Sequence, residues 1–577
     1  MIGTTIVLGQ GASKAKGLNT LKEAWHERES LLNEDDLNVG FISYDGYPIK
    51  SWAYNSILIV FEGIVYNIED NVLKNTISSI IDSNYEKTEI LNLIKNADGD
   101  FCVYIIDKDN KEVIAFNDIL GGLPLFYCNN KNTFYISRQF GLIASNIKEK
   151  AWNNAHIAEF LSFGHNLKTR TFSDKVFKLE PASYVHAKYD NEIINCQYLN
   201  LYVDDFKVHN GYNSKREAVK DLVRLFEESC SRRVDYAKNN GYRIVNTISG
   251  GFDSRTVVGG LEKCECDYTN LTYEYLQDES ATAKAVCKAV GSKSEYVKLS
   301  FKNEPDLYDS RLSINTDGRI NSYTNSICYH DMLSVREYFG NERILYFGGF
   351  GGEFIRHPKF ETLLPFNDLG MAYTPSFILS SKVCCTEGKV LKGLFSKSFD
   401  GCVTRESKYK DLYNEYYQNL VRCSGEDRTR MFYFTVQPMM GKDFIMAIRH
   451  RIPLKWVGFE FYKMFLKELD PRLLSVGIFG KSEDYLEDKN LKRLDSKKKV
   501  KEYYLSVIRY FLQKYKRREL NNKEDSIDYK DIIDVLEEQS KLGVFDVQYI
   551  KNYYRSFSKS FKYQLISTLY YINSFKD

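Results

Sequence analysis

Two adjacent glycines lie between serines and an aspartate in Ser249-Gly250-Gly251-Phe252-Asp253-Ser254, and their flanks leave little choice of local structure. The apolar run 242–248 before them reads as a buried strand, and 255–262 after them reads as the opening turns of a helix. Such a strand–glycine–helix turn suits a pyrophosphate cradle. The glycines let backbone N–H groups turn toward an anion, and the helix N-terminus adds free donors and partial positive charge. Serine hydroxyls bond phosphate oxygens, and Asp253 is placed to hold the magnesium that accompanies a triphosphate. No Gly-Lys-Ser/Thr follows, so this is not a Walker A loop. Taken alone, the hexapeptide also reads as an ordinary glycine-rich turn.

Around this turn, helical and strand patterns alternate. A helix over 215–239 leads to the strand; strands follow at 268–275, 295–299 and 343–347, with helices at 281–290 and 326–339. That alternation predicts an α/β region with a parallel sheet and a ligand outside the strands' carboxyl ends. The first ~200 residues, about one large domain, have another character. Apolar runs at 57–61, 101–106, 112–116 and 133–136 are separated by turn residues, with helical periodicity at 71–81 and 86–94. The polar stretch 208–214 is the linker candidate. The expected architecture is α+β followed by α/β, with domains at 1–205 and 206–577 and a helical extension beyond Pro358. The basic stretch 491–520 carries apolar residues at helical spacing and reads as an amphipathic helix with a solvated face.

Composition excludes several functions. Among 577 residues, 79 basic and 77 acidic side chains nearly cancel, which argues against wholesale binding to nucleic acid or anionic membrane. No signal-peptide pattern and no run of ~18 apolar residues is present. Cys264-Glu265-Cys266 and Cys384-Cys385 have no matched second pair or histidine set for zinc. Reduced cysteines in a cytoplasmic protein are the expectation.

Several segments together resemble the asparagine synthetase family. The hexapeptide resembles the Ser-Gly-Gly-x-Asp-Ser signature of N-type ATP pyrophosphatases. In the first region, Phe61-Glu62-Gly63-Ile64-Val65-Tyr66-Asn67, the strand beginning Gly99-Asp100-Phe101 and Asn117-Asp118-Ile119-Leu120-Gly121-Gly122-Leu123-Pro124-Leu125 are similar to segments of the family's glutaminase domain. Later, Leu271-Thr272-Tyr273-Glu274-Tyr275, Phe347-Gly348-Gly349-Phe350-Gly351-Gly352-Glu353 and Arg451-Ile452-Pro453-Leu454 resemble segments of its synthetase domain. The resemblance implies a glutaminase-type αββα sandwich followed by an ATP-pyrophosphatase domain.

It also implies a chemistry. ATP is expected over Ile248, Ser249, Gly250, Gly251, Phe252, Asp253 and Ser254, with its base near Tyr273 and Gly348 and Mg2+ on Asp253 and Glu353. A carboxylate substrate becomes an acyl-adenylate, and an amine or ammonia displaces AMP. Asp317 and Lys481 complete the catalytic candidates. Plainer readings stand beside them: Glu353 as a helix-start carboxylate, Asp317 as a turn residue before Gly318, Lys481 as a solvated lysine. The departures are pointed. Position two is Ile2 and the first cysteine is Cys102, so the thiol nucleophile is missing. The family's oxyanion asparagine falls on Glu62, its mechanistic glutamate on Gly349, its second metal aspartate on Gly352, and an acidic flank of the Arg-Val-Pro-Phe run on Trp456. The expectation is an amide ligase that does not hydrolyse glutamine, a homodimer being one possible assembly. Ammonia-dependent asparagine synthesis and a non-catalytic binding module are the alternatives.

Overall fold

The computed structural model describes residues 2–15, 23–130, 132–147, 151–201, 211–274, 278–300, 310–318, 323–356, 373–402, 404–416, 425–478, 535–537 and 543–575. The first region holds two six-stranded antiparallel sheets. In one, Gly3–Gly9 pairs with Leu37–Ser43 and Thr133–Ser137; in the other, Gly99–Asp107 lies between Ile57–Val65 and Glu112–Asn117. Gly99–Asp107 is buried along its whole length, which is why its sequence reads as a continuous apolar run instead of an alternating one. Helices Asp70–Asp82 and Lys87–Asn96 add Leu73, Ile77, Ile80, Ile90, Leu93 and Ile94 to the same core at helical spacing.

A parallel five-stranded sheet forms the second region, in the order Glu295–Ser300, Thr269–Glu274, Arg243–Thr247, Ile344–Phe347, Phe434–Val436. Its entry is well specified. Ser214 caps helix Lys215–Asn239 by accepting from Glu217 N–H, and Glu217 in turn accepts from Asn213 N–H just before the cap, so the helix starts where the sequence predicts. The chain moves outward from Arg243–Thr247 on one side and returns to place Ile344–Phe347 on the other. The direction therefore switches between these two strands, opening a crevice at their carboxyl ends. The hexapeptide ends one strand and Gly348 the other. Phe434–Val436 escapes the sequence reading, since three residues carry no periodicity.

Buried charges join the two regions. Glu62 accepts from Arg138 Nε (2.9 Å), Tyr47 hydroxyl (2.6 Å) and both the N–H and hydroxyl of Thr4 (2.9 Å each). The same Arg138 pairs with Asp427 of the second region and donates to the carbonyl of Pro124. Nearby, Arg430 donates to Gly122 O (2.6 Å) and Asp100 (2.7 Å), and Arg233 forks onto Asp98 (3.2 and 3.3 Å). Burial pushes the Asp98 carboxyl up, but Arg233 and the Lys442 N–H outweigh it and hold the group at about 2.

His26 also spans the boundary, its Nε2 2.9 Å from Met431 O. Burial lowers its pKa from 6.5 to about 3, so the imidazole is neutral in the fold. A depressed pKa stabilises fully above the unfolded value and loses that contribution as pH falls from 6.5 toward 3. At pH 5 the loss from this residue is about 2 kcal/mol. Thermal unfolding should therefore come earlier at pH 5 than at pH 7, and His26→Gln should shrink that difference.

Candidate nucleotide site

Helix Phe252–Lys263 starts directly from the glycine turn, and Gly251 at its N-cap offers no side-chain cap. Its first N–H groups are left for the turn or a ligand. The serines organise the turn: Ser254 hydroxyl accepts from Ser249 N–H (3.0 Å), the two hydroxyl oxygens lie 3.0 Å apart, and Ser249 Oγ accepts from Gly251 N–H (3.2 Å). Gly250 N–H donates to Glu279 Oε2 at 2.6 Å, so a carboxylate sits on the anion-binding backbone. Arg255 holds the turn from beneath. Its guanidinium donates to the carbonyls of Gly250, Gly251, Leu473, Val476 and Gly477 at 2.7–3.0 Å. With no carboxylate partner among the described residues, burial lowers its pKa to about 10. Phe252, expected among the nucleotide contacts, turns its ring inward against Phe459 and Tyr462 and is not among the residues lining the adjacent cavity.

The crevice is a cavity of about 460 Å³, a size suited to a small ligand. Ile248, Ser249, Asp253, Ser254, Tyr273 and Gly348, which the sequence reading had grouped as nucleotide contacts, all line it. Gly250 and Gly251 lie in the turn at its edge and are not among its lining residues. Gly348 N–H donates to Val436 O (3.0 Å), and the Tyr273 hydroxyl lies 3.9 Å from Met332 Sδ. Five carboxylates face the cavity (Asp253, Glu279, Asp331, Glu353, Glu426), and no Lys, Arg or His is among its described lining residues. Asp331, on helix Tyr323–Phe339, is 5% exposed and its Oδ1 accepts no hydrogen bond among the described residues. Burial raises its carboxyl to about 8.

The loop after Ile344–Phe347 packs closely on the helix start. A Cβ at Gly349 would stand 2.7 Å from the Asp253 carbonyl carbon and from Ser254 N; one at Gly352 would stand 2.7 Å from the Tyr462 hydroxyl and 2.8 Å from Asp253 Cγ. Both positions are restricted to glycine by this approach. From the short helix Gly352–Arg356 that follows, Arg356 reaches Asp253 Oδ2 as an ion pair, and Tyr462 hydroxyl donates to Asp253 Oδ1 (3.0 Å). Burial raises the Asp253 carboxyl against the opposing pull of Arg356 and Tyr462. Magnesium demands several open oxygens in octahedral array, and here both oxygens of Asp253 are engaged. No cluster of three His, Cys, Asp or Glu suited to a metal occurs among the described residues. These residues do not fit the magnesium site expected on Asp253 and Glu353.

Asp317 is also corrected. It has positive φ (57°), accepts from Phe140 N–H and Gly141 N–H (2.7 Å each) and from Tyr571 hydroxyl, and is absent from the cavity lining. It caps helix Phe140–Asn146 of the first region and ties it to the C-terminal helix Lys559–Asn573, a structural role. Glu353 faces the cavity on the short helix Gly352–Arg356, with its carbonyl accepting from Tyr413. Lys481 and the basic stretch 491–520 lie outside the described residues. Sequence reasoning missed Arg255, Asp331, Arg356, Tyr462 and the cavity-lining Gln437, whose Oε1 accepts from Phe350 N–H (3.0 Å). A signal existed for Asp331, a carboxylate among Tyr329, Met332 and Val335 on a helix face otherwise apolar.

Residues 24–199 match a glutamine amidotransferase domain. The asparagine synthetase [glutamine-hydrolyzing] of Mesocricetus auratus is 26% identical over 274 residues, 44% of this chain and 46% of that protein. The Homo sapiens enzyme of the same name is 25% identical over 274 residues with the same coverage. The match thus spans under half the length of these relatives. The glutamine phosphoribosylpyrophosphate amidotransferase from B. subtilis, solved with ADP and GMP, covers 52% of this chain and 90% of its own at 10% identity, with a TM-score of 0.21 that carries nothing further. Residues 24–199 thus form a glutamine amidotransferase-type domain, and over under half of its length the chain is similar to asparagine synthetases.

Proposed function

We propose that the chain is an ATP-dependent amide ligase that forms AMP and pyrophosphate and takes its amine from solution or from the substrate, not from glutamine. The observation that carries this reading is the uncapped Ser249–Ser254 turn opening into the cavity at the sheet's switch point. A substrate carboxylate oxygen attacks the α-phosphorus of ATP, and the bond to the bridging oxygen breaks as pyrophosphate leaves. The amine nitrogen then attacks the acyl carbon, the carbon–oxygen bond to AMP breaks, and the nitrogen's proton passes to solvent. The chain's part is positioning and charge stabilisation. The acidic lining favours an amine-bearing partner and disfavours a second free dicarboxylate, which argues against ordinary asparagine synthesis. Glutamine hydrolysis is disfavoured by the buried Arg138–Glu62 pair and by Cys102, whose thiol is fully buried, its pKa pushed well up by burial.

The test is AMP release from ATP with pooled carboxylic acids and amines, comparing the native chain with Asp253→Ala. Acid-dependent AMP that vanishes in the variant supports the ligase; ATP binding without AMP from any acid favours a binding module. Glu279 supplies a separate expectation. Its carboxylate competes with phosphate for Gly250 N–H, so Glu279→Gln should tighten ATP about three- to tenfold by calorimetric titration.

A further inference from the structure

We propose that Arg356 is the resident cation of this site and stands in for a metal ion, so that nucleotide binding is independent of magnesium. The proposal rests on the nucleotide reading of the cavity. Three observations carry it. Asp253, the aspartate of the glycine turn, has one oxygen paired with Arg356 and the other bonded by Tyr462. Gly349 and Gly352 let the loop that leads to Arg356 pack directly on Asp253, since any Cβ there would collide with Asp253, Ser254 or Tyr462. Finally, no Lys, Arg or His is among the described residues lining the cavity, while a polyphosphate needs positive charge beside it; Arg356 stands just behind that lining, paired with Asp253, which is part of it.

Arg356 is suited to that task. Its guanidinium stays charged at all relevant pH, because the attraction of Asp253 and Tyr462 exceeds the cost of burial. Its Nε is buried without a hydrogen-bond partner among the described residues. Its guanidinium carbon lies 5.5 Å from the Tyr462 ring centroid, which braces the fork. One nitrogen is held by Asp253, so the group keeps donors in a fixed plane for phosphate oxygens. A divalent ion entering here would have to displace the guanidinium from Asp253 and would meet its positive charge.

The test is titration of the full chain with the non-hydrolysable α,β-methylene analogue of ATP, in excess EDTA and again in excess magnesium. The native chain should bind equally in both, within about twofold. Arg356→Gln should weaken binding in EDTA by about ten- to a hundredfold, and Arg356→Lys should recover part of that. Arg356→Gly, which frees Asp253, should gain a magnesium requirement, tightening about tenfold or more when the metal is supplied. A purely structural arginine would not move this metal dependence, and a melting curve of each variant separates misfolding from loss of binding. Native binding that needs magnesium, or an Arg356→Gly chain that binds as well in EDTA as the native one, would overturn the proposal. Absence of binding in both buffers would instead sink the nucleotide reading. Electron paramagnetic resonance of Mn2+ with the native chain then decides the remaining claim: free Mn2+ keeps it, and Mn2+ bound at Asp253 overturns it.

Discussion

Replacing Arg138 by methionine should cost about 3–5 kcal/mol, because removing one partner of a buried pair strands the other. Arg138 is wholly buried and serves two acids at once, Glu62 of its own region and Asp427 of the next. Without it both carboxylates sit in a site closed to water. Tyr47 and Thr4 still bond Glu62, but hydrogen bonds do not replace a counter-charge. Gly3, whose added Cβ would collide with the Arg138 stem, shows how tightly the arginine is enclosed. The triple change Glu62→Gln, Arg138→Met, Asp427→Asn should recover most of the loss, since a neutral set has no ion to desolvate. The readout is thermal unfolding of the two variants beside the native chain. Equal midpoints for native and Arg138→Met would contradict this account of the boundary.

The second large effect falls on Arg255. Five carbonyls from two separated segments converge on its guanidinium, and they fix the glycine turn to 473–477. Lysine keeps the charge but brings only three donors without the planar fork, so Arg255→Lys leaves at least two of these buried or part-buried carbonyls without their partner. At about 1–3 kcal/mol for each unsatisfied group, a stability loss of roughly 2–6 kcal/mol is expected. Affinity should fall as well, because the N–H groups of the turn lose their aim; tenfold or more weaker ATP binding by calorimetry is the expected outcome. An Arg255→Lys chain with native stability and affinity would show that the turn holds itself.

What the sequence made legible was local. The glycine turn, its strand and its helix follow from neighbouring residues, and the structure places each within a few positions of the expectation. Strands such as Gly99–Asp107 were readable because burial on both faces writes a continuous apolar run. The polar edge strand Glu27–Asn33 and the short Phe434–Val436 leave no such trace. Site residues failed in the same way. Arg356 lies 103 residues from the Asp253 it pairs with, and Tyr462 lies 209 residues away. Asp317 has the composition of a turn and the environment of a helix cap, with partners supplied by segments 176 and 254 residues distant. Glu62 stands where the resemblance puts an oxyanion asparagine, and nothing in its neighbouring residues announces the Arg138, 76 residues on, that pairs with it in the fold.

These departures share one pattern. Where the family resemblance led to an expected metal site, glycines and an arginine stand, and where it led to an expected oxyanion site, an ion pair binds two regions together. The second region keeps the turn and cavity that a nucleotide would need, and the first region contributes the boundary that supports them.

Acid-dependent exchange of labelled pyrophosphate into ATP tests the central claim most directly, because it reads adenylate formation without requiring the amine to be known. The account predicts exchange that appears with one acid of a pool, persists without any amine or glutamine, and disappears in Asp253→Ala. ATP bound tightly with no exchange from any acid would contradict it and leave a binding module in the place of a ligase.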